Sequence, residues 1–260
     1  LSSSSAASDV YKRQGIFSPE ENVYLASLID DLGLCGIQCG NVLGFAGELY
    51  QRGILSKLDL EGIELKWGDA EAFAELVKNI VARKGIGDVL AEGTYRAALK
   101  IQEMKGKNVT KYAVQEKGVA IGAHGIRSLE DYPTEIAYAC SVQAGDHTSI
   151  AHMPKRYRDG ELDIILHDSG VYCWFNMFAQ RRSLKWEFFK AVTGWDIRPG
   201  EWYKTTALRI LHLQRALLLL GGPDLKWNPK EHDDNPPRFY EPLPSGPYAR
   251  KRVDRARFEA

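Results

Sequence analysis

Two short segments of the chain carry the same chemical groups in the same order. Asp30-Asp31-Leu32-Gly33-Leu34-Cys35 and Asp168-Ser169-Gly170-Val171-Tyr172-Cys173 each read Asp, four residues, Cys, with a glycine among the four. An ionised carboxylate takes two parallel hydrogen bonds from an amino-pyrimidine edge. A thiol near a helix N-terminus is drawn toward the thiolate, the form that iron or tungsten binds. The plainer alternative is that each aspartate caps a helix entrance and each cysteine fills apolar space. Spacing alone leaves both open. Zinc fits poorly, because Cys35-x-x-x-Cys39 lacks a well-spaced second pair and no His-x-x-x-His accompanies it.

A second cluster, residues 121–149, places His124, Arg127, Glu130, Asp131, Glu135, Asp146 and His147 among glycines and small side chains, a composition that suits a pocket wall. Within it, Gly145-Asp146-His147-Thr148 sets an imidazole beside a carboxylate, an acid/base pair near neutrality. His152, His167, His212 and His232 are read as structural.

The elements that must position these groups are helices. Ser18-Pro19-Glu20-Glu21 predicts a helix start, with Ser18 as cap, proline at the first helical position and Glu21 completing a capping box. That helix should run to about Asp31. A tight Gly/Cys turn should follow, then a helix over 42–52 stopped by Gly53. Asp69 should cap a helix with Phe73, Leu76, Val77, Ile80 and Val81 on one face, ended by Gly85 and Gly87. Residues 89–105 repeat the helical pattern, and 109–125 are irregular or strand-like. Pro133 predicts a helix through Cys140. From Asp168 the pattern is helical, broken at Gly194, and 201–220 forms a further helix with Leu213, Leu217 and Leu220 beside Ile210. The proline-rich stretch 228–247 should run extended. The reading is a mainly α protein divided into residues 15–115 and 116–260. Residues 1–14, LSSSSAASDVYKRQ, are set aside as a non-native or disordered tail that resembles a translated library adapter.

Composition narrows the function. The 260 residues carry 34 basic and 34 acidic side chains, so no net field steers the chain to nucleic acid or an anionic membrane. Arg215, Gln214 and His212 interrupt even the Leu-rich segment 210–220, so no stretch approaches the ~20 apolar residues of a membrane span. Four scattered cysteines are too few for a disulfide-stapled scaffold, which points to reduced thiols or metal ligands and a cytoplasmic location.

Seven motifs then occur in order: DDLGLCGIQCG, GDVLAEGTYRAA, GDHT, DSGVYCWF, AVTGWD, TALRILHLQRA and DDNPPRFYEPLPSGP. Across residues 15–247 the chain resembles the second and third, helical domains of the aldehyde ferredoxin oxidoreductase family. The resemblance implies a tungsten (rarely molybdenum) bis-pterin enzyme with a 4Fe-4S cluster, whose β-rich first domain is not in this chain. By match, Asp30 and Leu34 would hold one pterin, with Cys35 standing where the family has a second aspartate, and Asp168, Tyr172 and Trp174 would hold the other. Cys173 would be the last cluster ligand. His147 matches the active-site histidine, although its usual basic neighbour is Ser149 here. Cys39 has no role in the pattern.

The implied activity is oxidation of an aldehyde to a carboxylic acid, with His147 handling the proton and electrons leaving through the cluster to ferredoxin or another electron-transfer subunit. A fragment lacking the first domain should be inactive and aggregation-prone alone, and the parent should be a homo-oligomer or part of a larger complex. Residues 121–149 look closer to the branch with the tungsten benzoyl-CoA reductase catalytic subunit, which gives a second reading with an acyl-CoA substrate. A third reading is a cofactor-free helical scaffold.

Overall fold

A computed structural model describes residues 13–122, 138–146, 157–172, 183–221, 226–244 and 249–259. It is mainly α, as the sequence predicts. Helix α1, Pro19–Asp31, starts at the expected cap, where the Ser18 hydroxyl accepts from the Glu21 amide at 3.3 Å, but the Glu21 side chain does not return the bond that would complete the capping box. The hydroxyl's other bond goes to Glu20, because Ser18 Oγ donates to that carboxylate at 3.1 Å. Helix α2, Gly36–Gln51, begins six residues before the predicted 42, so the turn between α1 and α2 is shorter than expected. Cys35 is its N-cap and Cys39 lies inside its first turns. Gly53 ends it in the left-handed region, with the Ile54 amide reaching back to the Leu49 carbonyl at 2.9 Å.

Helix α3, Ala70–Val81, is capped by Asp69 through the Ala72 amide at 3.0 Å. Phe73, Leu76, Val77 and Ile80 are buried as predicted, while Val81 is exposed because α3 ends there and the chain turns away at Arg83. The predicted helix over 89–105 is two elements, α4 Ile86–Leu90 and α5 Thr94–Lys105, separated by Gly93 with φ 85°. Gly87 lets α4 lie on α3: a methyl there would stand 2.9 Å from the Ile80 amide nitrogen. The strand-like region is a hairpin, Gln115–Glu116 with Val119–Ala120, antiparallel.

Two compact units emerge. Unit 1 groups the described residues up to 122 with Ala144–Asp146 and with the tail from Asp234. Its core joins Leu25, Ile29, Leu43, Leu49, Phe73 and Ile101, each fully buried. Each such side chain withdrawn from water contributes roughly 2 kcal/mol. The tail belongs here rather than with the residues before it, which departs from the expected division at 115. Arg238 explains this, since it reaches Glu48 of α2 at 2.5 Å. The tail is also not extended throughout. Prolines open short helical turns at Pro229–His232 and Pro237–Tyr240, where a missing amide costs nothing.

Unit 2 contains α6, Tyr157–Ser169, a helix the sequence reading passed over, and α7, Leu184–Thr193, ended by Gly194 at φ 73°. The predicted 201–220 helix is continuous: Pro199–Trp202 (α8), a π-helical turn Tyr203–Ala207, and α9 Leu208–Leu220. Leu162, Ile165, Leu166, Trp202, Ala207 and Leu211 form the core. Leu213, Leu217 and Leu220 do not join it; they are 59%, 66% and 77% exposed, because only the Ala207–Leu211 side of this helix meets α6. The predicted helix after Pro133 lies mostly outside the described residues, of which 138–140 are helical.

Candidate functional site

The described parts of the two segments, residues 30–34 and 168–172, fold alike, and not as helix entrances. Asp30 and Asp168 each stand in the last turn of a helix 13 residues long. The first turn closes through Leu32 N to Leu28 O at 3.1 Å, Gly33 N to Asp30 O at 2.9 Å and Leu34 N to Ile29 O at 3.0 Å. The second closes through Gly170 N to Leu166 O at 2.9 Å, Val171 N to Asp168 O at 3.3 Å and Tyr172 N to His167 O at 2.9 Å. Every donor and acceptor corresponds. The fourth residue of each segment is left-handed, Gly33 at φ 73° and Val171 at φ 57°.

This corrects the capping alternative. A cap side chain accepts from amides at a helix N-terminus, whereas these carboxylates sit at helix C-termini, where the helix dipole disfavours negative charge. Both aspartates are exposed, and the Asp30 side chain makes no hydrogen bond. An exposed carboxylate at a helix C-terminus is suited to accept paired N–H groups from outside the chain. The described residues therefore fit the heterocycle that the sequence resemblance implies.

The remaining predicted residues divide. Leu34 and Tyr172 are half-buried, and the Tyr172 hydroxyl donates to the Lys185 carbonyl at 3.2 Å. Cys35 is exposed at the α2 N-terminus. Cys39 is buried, and burial first, with Cys35 nearby second, pushes its thiol up to about 12, so it stays protonated at neutral pH. Cys173, Trp174, His147 and most of the 121–149 cluster lie outside the described residues. Among the described residues no group of three or more His, Cys, Asp or Glu side chains could hold a metal ion, and no helix is long and apolar enough to cross a membrane.

Two positioning features escaped the sequence reading. Gln38 of α2 exchanges both bonds with Ala120, 3.1 Å each, and buried Asn41 donates to the Val114 and Ile121 carbonyls while accepting from Thr94. These amides fix the hairpin. Gly145, just before Asp146, packs its bare backbone on that hairpin, since a methyl would stand 2.9 Å from the Val119 carbonyl carbon. The only sequence signal was a pair of amide side chains on an otherwise apolar helix.

Comparison with known proteins gives this architecture a family. The sequence model of "Aldehyde ferredoxin oxidoreductase, domains 2 & 3" matches residues 10–260. The chain belongs to the aldehyde ferredoxin oxidoreductase family. Within it, the chain is 58% identical over 246 residues to the "Aliphatic sulfonate oxidoreductase, WOR-like subunit" of Pyrococcus furiosus, a match covering 95% of this chain and 39% of that protein. It is 28% identical to the "Tungsten-containing aldehyde ferredoxin oxidoreductase" of Pyrococcus horikoshii, covering 86% and 40%. Among solved structures, the "Active site complex BamBC of Benzoyl Coenzyme A reductase in complex with 1,5 Dienoyl-CoA" aligns over 47% of this chain and 18% of that one, with 31% identity and a TM-score of 0.40. The chain thus spans about two fifths of the length of the curated relatives it matches.

Proposed function

We propose that this chain is the helical part of a tungsten or molybdenum bis-pterin oxidoreductase, with Asp30 holding one pterin and Asp168 the other. The observation that carries the reading is the duplicated exit turn: the same bonding ladder twice, each with a carboxylate where the helix itself gains nothing from one. Leu34 and Cys35 would complete the first contact, Tyr172 and Trp174 the second, and Cys173 would be a ligand of a 4Fe-4S cluster. His147, beside Asp146, would move the proton. When bound, the metal and cluster would supply two-electron chemistry at the substrate and pass electrons singly to ferredoxin or a partner subunit.

The similarity at 58% supports a substrate of the aliphatic sulfonate class over a simple aldehyde, and a place as one subunit of a larger assembly. Aldehyde oxidation is the alternative that the 28% relatives support. The test uses the whole protein, purified without oxygen. Metal analysis should find tungsten or molybdenum with iron, and Asp30→Asn or Asp168→Asn should each lower pterin content by about tenfold or more, since a charge-assisted pair becomes a neutral one. Dye reduction with an aliphatic sulfonate, an aldehyde and an aromatic acyl-CoA offered separately then assigns the substrate. A metal-free protein would leave only the scaffold reading.

A further inference from the structure

Beneath the second exit turn lies a buried polar group that the first lacks. Aligning the two segments pairs Leu25 with Asp163 and Ile29 with His167. Leu25 and Ile29 are fully buried core residues. His167 is also buried, 3% exposed, yet neither ring nitrogen has a hydrogen-bond partner. Its Nε2 stands 3.8 Å from Asp163 Oδ2, within reach of charge but beyond hydrogen-bonding distance. Asp163 is already engaged on its other oxygen, where Lys185 Nζ and, at 2.6 Å, the Tyr203 hydroxyl both donate. The imidazole also meets the Tyr172 ring edge-on, with centroids 6.2 Å apart, and the His167 carbonyl accepts the Tyr172 amide.

Packing does not require this imidazole, since isoleucine fills the matching position in unit 1. An unpartnered buried polar group is destabilising. Its surroundings supply a reason for a group that changes charge. Proton uptake from solvent makes an imidazolium that Asp163 attracts, closing the gap to Oδ2; proton loss leaves a neutral ring held by its contact with Tyr172. The charged and titratable groups that face the ring are Asp163 of its own helix, Lys185 of α7, Tyr203 of the π-helical turn and Tyr172 of the exit turn. Lys185 opposes a second positive charge there, so the ring and the lysine compete for one carboxylate.

We propose that His167 is a positioning residue whose protonation sets the Tyr172 ring and, through the helix end they share, the attitude of Asp168. The first turn, built on Leu25 and Ile29, has no such response. The first exit turn is therefore fixed and the second follows pH. What Asp168 holds rests on the proposed function; the coupling of His167 to Tyr172 does not.

The experiment uses the whole protein labelled with [13Cε1]histidine and 3-fluorotyrosine. The His167 resonance, identified by its absence in His167→Gln, reports the protonation state of the ring as pH is varied. The Tyr172 fluorine signal, identified with Tyr172→Phe, should move with the same midpoint, and that movement should vanish in His167→Ile and His167→Gln. Tungsten retained per subunit should differ by about fivefold between the two ends of the titration in the unaltered protein and be equal at both in the variants. A Tyr172 signal that stays flat across the range, or one that still titrates in both variants, would overturn the proposal. Co-titration in a protein that binds no tungsten would sink the pterin reading and leave this one standing; bound tungsten with a flat Tyr172 signal would do the reverse.

Discussion

The exit turns of units 1 and 2 close with the same hydrogen bonds and differ in what lies above and below them. In unit 1 the glycine is Gly33, at the left-handed position itself. In unit 2 the glycine has moved one place earlier, to Gly170, and Val171 takes the left-handed φ instead. The exchange has a visible use, because a methyl at Gly170 would stand 2.6 Å from Tyr172 Cε2. The glycine makes room for the tyrosine ring, and a β-branched residue carries the backbone strain, roughly 1 to 3 kcal/mol. Below the turn, aliphatic side chains in unit 1 are replaced by a network of Asp163, His167, Lys185 and Tyr203. The backbone motif is common to both; the chemistry around it is particular to each.

The comparison can be broken most severely by giving unit 1 the acid of unit 2. Leu25→Asp places a carboxylate in a core with no lysine to meet it and should cost about 4 kcal/mol or more, enough to abolish amide protection over α1 and α3 in hydrogen exchange of the whole protein. The reverse change, Asp163→Leu, should cost about 3 kcal/mol. It strands Lys185, whose side chain is only 13% exposed, and protection should fall over α6 and α7 alone.

Acid should separate the units. Burial by itself would raise the Asp163 carboxyl, but its interactions with His167, Lys185 and Tyr203 more than reverse that and hold it well below the usual carboxylate range. A depressed folded-state value means stability that is complete above the unfolded value, near pH 4, and lost as pH falls below it. Hydrogen exchange from pH 5 downward should therefore show α6 and α7 loosening progressively, and Asp163→Asn should flatten that dependence.

Smaller effects sharpen the role of each glycine. Gly170→Ala should cost about 1 to 2 kcal/mol and shift the Tyr172 fluorine signal without unfolding unit 1. Val171→Gly should relieve the positive φ and stabilise unit 2 by up to about 1 kcal/mol in denaturant melts, with Gly33→Ala destabilising unit 1 by a similar amount. At the small end, iodoacetamide at neutral pH should label exposed Cys35 and spare Cys39, whose buried thiol stays protonated, as mass spectrometry of the tryptic peptides would read.

Much of this was legible from residue order alone. Apolar spacing gave the α3 face, Ser18 and Asp69 announced their helices through cap chemistry, and seven ordered motifs carried the family. These are local features, decided within one or two helical turns, so a linear reading reaches them. What it missed was non-local. It started a helical stretch at Asp168, although it ended the first helix near Asp31, because a single acid before a glycine does not say on which side of it the helix lies. It placed Leu213, Leu217 and Leu220 at helical spacing without giving their exposure, because helical period shows that an apolar face exists and not whether anything covers it. It passed over α6, whose buried Glu161 and His167 and half-buried Asp163 blur the apolar stripe.

The sequence by itself determined a mainly helical member of a redox family with a repeated acid-bearing segment, since composition, caps and motif order are properties of neighbouring residues. Only the tertiary structure decided that both copies are helix exits of one geometry, that Gly170 serves a ring rather than a dihedral, and that His167 sits buried against Asp163 and Tyr172. Those relations depend on which distant side chains meet, and packing settles that only when the chain has folded.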